Sequence, residues 1–294
     1  DLALYQQNRL NVEHGIGIDV NSWDWSELAQ HLQAKGKKII AGDYKNFGPG
    51  LMMSCVVAAC DIILRWYEYY DKDQERNMIR RVLLSELINA RHLSEDIVYT
   101  VSSGIPSGSP ITTPLNSIVN SLYIRCAWLS LTGTSCEQLL KSCNIVTFGD
   151  DVCINVSDEY VEIFNTETMN SFFKKYNITF TDVDKGDTIV KYRTLNDVTF
   201  LKRGFSKHPT IPFCYLAPIN EDSIYKCVNW IKKTGDPVLN TLEHCEQACE
   251  LAFGRGKEYY DELRDTLIKG CRSQGLGIPN LPLWDEVSFR CYNK

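Results

Sequence analysis

The chain lacks any apolar run approaching the length of a bilayer-crossing helix, so no segment of it reads as a membrane span. Its opening, Asp1-Leu2-Ala3-Leu4-Tyr5, does not read as a signal peptide. Internal repeats and low-complexity linkers are missing as well, which sets aside repeat arrays and long disordered tethers. Positive charge is in deficit: 31 Lys and Arg stand against 37 Asp and Glu, a formal −6. That excludes a general basic coat for nucleic acid, and any such contact has to come from a local patch. No Cys-x-x-Cys pair occurs among the 12 cysteines, which are scattered singly, several of them inside apolar runs such as Ser54 to Cys60. Buried thiols in a reducing compartment are the expectation. His244-Cys245 with Cys249 is the one cluster with a zinc-like composition. The second cysteine falls one helical turn after the first, so helix packing is the better reading.

What is present is an ordinary globular composition, 44% hydrophobic and 23% charged over 294 residues, enough for one large or two modest domains. A helix is expected over 23–33, capped by Asn21 or Ser22. A short buried strand over 37–44 ends at Asp43, followed by a Gly48-Pro49-Gly50 turn. Apolar residues at three- and four-residue spacing predict helices over 52–70 and 74–92. A strand near Tyr99 then enters a loop rich in Gly, Ser and Pro, and a helix over 113–131 follows. Two apolar runs around Gly149-Asp150-Asp151 predict a hairpin. A helix over 162–176 and strands over 178–181 and 198–202 complete a mixed α+β region. Beyond Phe213 helices dominate, over 222–234, 237–253 and 257–270.

Asp43 and the Asp150-Asp151 pair each end an apolar strand. Three gathered carboxylates repel one another unless cations neutralise them. Magnesium favours carboxylate oxygens completed by water and phosphates, so the cluster suits two-metal phosphoryl transfer. Asp in a turn is also common for capping alone, and the Gly-Asp-Asp triplet by itself leaves both readings open.

Taken in order, the motifs resemble the palm of picornavirus-like RNA-dependent RNA polymerases, of the insect-infecting iflavirus or dicistrovirus type. Asp43-Tyr44-Lys45-Asn46-Phe47 resembles the first palm motif. Ser103 to Gly108, with Thr112 and Asn116, resembles the second. Phe148-Gly149-Asp150-Asp151 is similar to the family's Tyr-Gly-Asp-Asp turn. Asp184-Lys185-Gly186 and Phe200-Leu201-Lys202-Arg203 resemble the fourth and fifth.

The resemblance implies an α+β fold: a right-hand polymerase palm of antiparallel sheet with helices, partial fingers and a helical thumb. Residues 1–35 would be a remnant of the fingers, 36–50 and 93–206 the palm, 51–92 a fingers insertion and 207–294 the thumb. It implies RNA-templated RNA synthesis from NTPs with two Mg²⁺ ions, or Mn²⁺ as substitute, held by Asp43, Asp150 and Asp151. Lys185 would donate a proton to pyrophosphate. Ser107 and Gly108 would form a loop that senses template and nucleotide, and Thr112 and Asn116, four apart on a helix, would reach the ribose. Lys202 and Arg203, with Lys191, Arg193 and Lys207 near in sequence, would grip nascent-strand phosphates. Implied partners are template and primer RNA, NTPs, a protein primer and other viral replication proteins. The implied location is the host cytoplasm, in membrane-associated replication complexes.

Two departures qualify the match. The family often has a second Asp five residues after the first; here that position is Gly48, which has no side-chain acceptor for a ribose hydroxyl. The basic fingers motif is also missing, since only Arg9, Lys35, Lys37 and Lys38 precede Asp43. The expectation is therefore a natural protein longer at its amino end, from which this chain is a processed product or fragment. A non-catalytic RNA-binding or scaffold fragment is the alternative. Reverse transcriptase shares the palm logic, but Gly-Asp-Asp and the spacing of Ser107, Gly108 and Thr112 favour an RNA polymerase.

Overall fold

The computed structural model describes residues 9–182, 189–230 and 235–293. The first helix, α1 (Trp23–His31), starts where Ser22 adopts an extended backbone and its hydroxyl accepts the Asp24 N–H at 3.1 Å. The apolar run before Asp43 forms β1 (Lys38–Tyr44). Gly48-Pro49-Gly50 is part of one helical turn, Phe47–Gly50, rather than an open turn; Gly50 N–H donates to Asn46 O at 2.9 Å. Two helices follow, α2 (Met53–Tyr70) and α3 (Gln74–Ile88), the latter capped by Asp73. The expected helix over 74–92 stops short, and His92 lies in a hairpin of β2 (Arg91–Ser94) and β3 (Ile97–Thr100).

The long helix α4 (Thr112–Thr132) and a short α5 (Cys136–Ser142), absent from the sequence reading, lead into β4 (Cys143–Phe148) and β5 (Asp151–Val156). Helix α6 (Thr166–Lys174) begins four residues later than expected because Asn165 and Thr168 form a reciprocal cap there. Strand β6 is Phe180–Asp182. No strand forms over 198–202. Phe200 and Arg203 exchange backbone hydrogen bonds of 2.9 and 3.0 Å around Leu201 and Lys202, whose φ values of 53° and 59° make a tight type I′-like reversal. A small pair, β7 (Ser206–Lys207) with β8 (Tyr215–Leu216), precedes α7 (Glu221–Asn229), α8 (Pro237–Ala252), α9 (Lys257–Ser273) and α10 (Trp284–Tyr292).

The chain divides into two compact units. One comprises Asp1–Ile16 and Ala34–Arg193, the other Gly17–Gln33 and Thr194–Lys294. In the first unit the sheet order is β4-β5-β1-β6, antiparallel throughout, with β1 central. Ile40, Tyr44, Ile145, Ile154 and Phe180 of the sheet join Val119, Ile124 and Trp128 of α4 and Phe173 of α6 in one core. Tyr44 is its aromatic hub, its ring centroid 4.8 Å from those of Phe47 and Phe180 and 5.8 Å from that of Phe173. The second unit builds its own core from Ile224, Ala248, Phe253, Tyr260, Trp284 and Tyr292. There Trp25 of α1 stacks on Phe205 at 4.7 Å, and Ser26 Oγ accepts the Tyr215 N–H at 2.9 Å.

Candidate active site

Alternation along β1 sends Tyr44 into the helical layer and Asp43 to the opposite face. The register pairs Gly42 with Val152, so one step further Asp43 stands across from Asp151 on β5, sharing its face. Phe148 and Asp151 pair at the end of the β4–β5 hairpin, leaving Gly149 and Asp150 as a two-residue loop. Gly149 has φ 65°, the first-position glycine of a type II′ turn. Asp43 and Asp151 are half-buried and Asp150 is exposed. Two adjoining strands therefore present three carboxylates at one end of the sheet.

The donor set is all hard oxygen, suited to Mg²⁺ completed by water and phosphate. The carboxylates are not drawn into a closed ligand group: among the described residues no three His, Cys, Asp or Glu side chains gather tightly enough to hold an ion. Lys185 lies outside the described residues.

Of the other expected site residues, Ser107 and Gly108 are exposed in the loop before α4. Thr112 opens α4, and its hydroxyl donates to Pro106 O at 2.9 Å, which ties that loop to the helix. Asn116 Oδ1 is shielded from solvent and has no hydrogen-bond partner. An acceptor in that state costs stability until a donor meets it. Gly104, at φ 86°, is packed so closely that an added Cβ would lie 2.6 Å from Gly48 O, and Ser103 Oγ donates to Pro49 O at 2.8 Å. The segment after Asp43 and the loop before α4 are thus in direct contact. A Cβ at Gly48 would meet nothing within 4 Å.

The basic stretch divides. Lys202 is exposed at the tip of its turn, whereas Arg203 is half-buried and donates from Nη1 to Ala217 O at 2.9 Å. Arg193 is committed to a buried ion pair, with Nε 2.9 Å from Asp182 Oδ1. Lys191 pairs with Glu162 at 3.4 Å. The zinc-like cluster resolves as packing: His244 Nδ1 lies 2.7 Å from Cys227 O, and Cys245 and Cys249 are buried among the helices.

The sequence reading missed a set of polar side chains inside α4. Ser117 Oγ accepts the Gly149 N–H at 2.8 Å and donates to Thr113 O at 2.8 Å. Asn120 Oδ1 accepts from Tyr44 Oη at 3.1 Å, while its Nδ2 donates to Gly149 O at 3.0 Å and Asp150 O at 3.2 Å. The available signal was Thr113, Asn116, Ser117 and Asn120, a polar stripe at helical spacing in an otherwise apolar helix.

Residues 3–271 match the family described as viral RNA-dependent RNA polymerase. The chain belongs to that family. It is 43% identical to a genome polyprotein of Deformed wing virus across 99% of its own length, and 36% identical to a replicase polyprotein of Acute bee paralysis virus across 84%. It spans 10% and 13% of those two polyproteins. In structure it is similar to a sicinivirus 3Dpol RNA dependent RNA polymerase, with a TM-score of 0.79 and 21% identity over 95% of this chain and 55% of that one. The antiparallel sheet and its helices thus have the polymerase fold expected from the motifs. Within this family the sheet end bearing Asp43, Asp150 and Asp151 is the natural candidate for the active site.

Proposed function

We propose that this chain is the catalytic portion of a polymerase that copies viral RNA by two-metal nucleotidyl transfer from NTPs to a primer 3′-hydroxyl. The observation that carries the reading is the register that pairs Gly42 with Val152 on adjoining strands, which brings Asp43, Asp151 and the Asp150 turn to the same end of the sheet. Asp43 and Asp150 would hold the metals, with Asp151 as a weaker or outer ligand. When bound, the two cations activate the primer hydroxyl and steady the triphosphate and the departing pyrophosphate.

The chain's own residues supply the remainder. Asn116 offers an unsatisfied acceptor to the ribose 2′-hydroxyl. Ser107 and Gly108 sense the template and nucleotide from a loop that Thr112 anchors. Lys185 is assigned the proton for pyrophosphate, and Lys202, with Arg203 as its backbone anchor, the phosphates of the nascent strand. In this scheme 36–50 and 93–206 act as palm, 51–92 as fingers insertion, 1–35 as the rest of the fingers, and 207–294 as thumb. Template and primer RNA, NTPs, a protein primer and other replication proteins in host membrane-associated complexes are the corresponding partners.

A second reading, a folded RNA-binding fragment that does not polymerise alone, is favoured by the 55% coverage of the solved polymerase. Primer extension separates the two. The full polymerase containing this chain should extend an RNA primer, and Asp150→Asn should lower turnover by about 10³-fold with little change in RNA affinity. Near wild-type extension by that variant refutes the two-metal reading. Extension by the full polymerase but not by the isolated chain assigns the second reading to this fragment.

A further inference from the structure

Beyond the carboxylates and the nucleotide contacts, we infer that Asn120 is a positioning residue: it clamps the Gly149–Asp150 turn to β1 through Tyr44 and so sets where the Asp150 carboxylate stands. This rests on the proposed polymerase function for its consequence, though not for its geometry.

The side chain of Asn120 is 0% exposed, and it bridges three separate elements: α4, which bears it, β1 through Tyr44, and the β4–β5 turn. Its orientation is fixed by chemistry. The Tyr44 hydroxyl is the donor here, and Asn120 Oδ1 lies 3.1 Å away to accept from it. Flipping the amide would turn Oδ1 onto two carbonyl oxygens, an acceptor facing acceptors. The observed orientation instead satisfies both Nδ2 protons and the phenol at once.

Ser117, three residues earlier and 1% exposed, takes the remaining inward group of the turn, the Gly149 N–H. Hairpin loops ordinarily have their backbone groups solvated and free to move. Here both polar backbone groups of Gly149, together with the carbonyl of Asp150, are bound by one helix face. The polar cluster is fully satisfied inside the core, the condition under which such a network specifies one geometry. Tyr44 adjoins Asp43 in the chain, so one amide registers the backbones of both acidic sites against each other. Displacements of about 1 Å at reacting groups cost on the order of 10²-fold in rate.

The test is Asn120→Asp in the full polymerase. The carboxyl is nearly isosteric and can still accept from Tyr44, but it has no amide protons for the two carbonyls. Hydrogen exchange in the metal-free protein should quicken across the Phe148–Val152 segment while Lys38–Ala41 of β1 keeps its protection. Turnover per titrated active site should fall about 10- to 100-fold, with the NTP KM within about threefold. Ser117→Ala, which removes the Gly149 contact and the bond to Thr113 O but leaves Asn120 in place, is the milder companion should Asn120→Asp fold poorly. It should quicken exchange at the same turn and lower turnover about three- to tenfold.

Unchanged turn exchange in the folded variants overturns the inference. So does uniform loosening of the whole sheet with turnover per active site intact, since that is mere core support. Asp150→Asn serves as the control. If that variant still polymerises, the functional reading fails, while the exchange measurement continues to judge the clamp.

Discussion

Two regions of the first unit treat their side chains in opposite ways. Around β1, β4, β5, α4 and α6, apolar groups are buried, and Tyr44, Ser117 and Asn120 inside bond to one another or to the β4–β5 turn. In α2, α3 and the β2–β3 hairpin, large apolar groups face outward: Val57, Ile62, Trp66, Tyr69, Met78, Val82, Leu83, Leu93 and Val98 among them. The charges there are already matched locally. Arg80 and Arg76 meet Asp71, Arg81 meets Glu68, and Arg65 meets Asp61. Arginines already held by carboxylates are less available to phosphate. The first region closes a core, and the second leaves much of its apolar surface open.

Stability is the largest expected contrast. Phe173, 1% exposed in the aromatic cluster around Tyr44, should cost about 3–5 kcal/mol when changed to Ala, the sum of lost transfer energy and the cavity left behind. Leu83, 63% exposed on α3, should cost within about 0.5 kcal/mol in the isolated chain. Urea unfolding of both variants measures this. A comparable loss at Leu83 would mean that α3 is packed more completely than its exposure indicates.

The two regions also differed in how legible they were from sequence. Short continuous apolar runs around Asp43 and Gly149 announce β1 and the β4–β5 hairpin, and α4 is expected within a residue at each end. The carboxylates were legible because each lies at the end of such a run. Local rules failed where tertiary partners decide. Nothing in Phe200-Leu201-Lys202-Arg203 announces a reversal, because non-glycine residues there take positive φ without the usual Gly or Asn. Arg193 belongs by sequence to the basic stretch, and only the fold shows that Asp182 holds it. Asn120 is silent in the sequence because an Asn in a helix shows its worth only once a turn 29 residues away is docked on it.

Within the core of the first region, an unsatisfied polar atom is the exception, and Asn116 Oδ1 is one at the candidate site. In the full polymerase, Asn116→Ala should lower ribo- over deoxyribonucleotide preference by about 1–3 kcal/mol, the worth of pairing a buried polar group. Gly48→Ala should leave it nearly intact, since a methyl there meets open space. The ratio of kcat/KM for a matched ribo/deoxyribo pair is the measurement. A ratio unmoved by Asn116→Ala would return that residue to helix packing.

Acid should separate the regions as well. Burial lowers the His14 pKa, with neighbouring Glu13 partly opposing, so the fold favours neutral imidazole. The unfolded chain binds the proton more readily below about pH 6.5, so stability is complete above that value and falls as pH drops toward the folded pKa. Asp71 is shifted the other way: hydrogen bonding from Arg80 lowers its pKa, so its contribution is present above about pH 4 and lost only below. Between pH 7 and 5, hydrogen exchange should rise in the segment around His14 and Thr147, which share a backbone bridge, and stay level at the start of α3. Equal responses in both segments would show that His14 is not the group responsible.

The smallest expected effect concerns RNA rather than stability, and it asks whether matched charges are truly silent. Each phosphate contact made by a free cation releases counterions and adds about 0.7–0.9 to the slope of log affinity against log salt. Lys202 is exposed at the tip of its turn, so Lys202→Ala should lower that slope by about 1 in the full polymerase on a primer–template. Arg76 and Arg81 are equally cationic, but they face Asp71, Asp73 and Glu68. A cation that must leave a carboxylate to meet a phosphate exchanges one anion for another and frees few counterions. Arg76→Ala and Arg81→Ala should therefore leave the slope unchanged within error. Should the arginine variants flatten the slope while Lys202→Ala does not, α2 and α3 would be the RNA-facing surface. Their exposed aromatic groups would then serve stacking on bases.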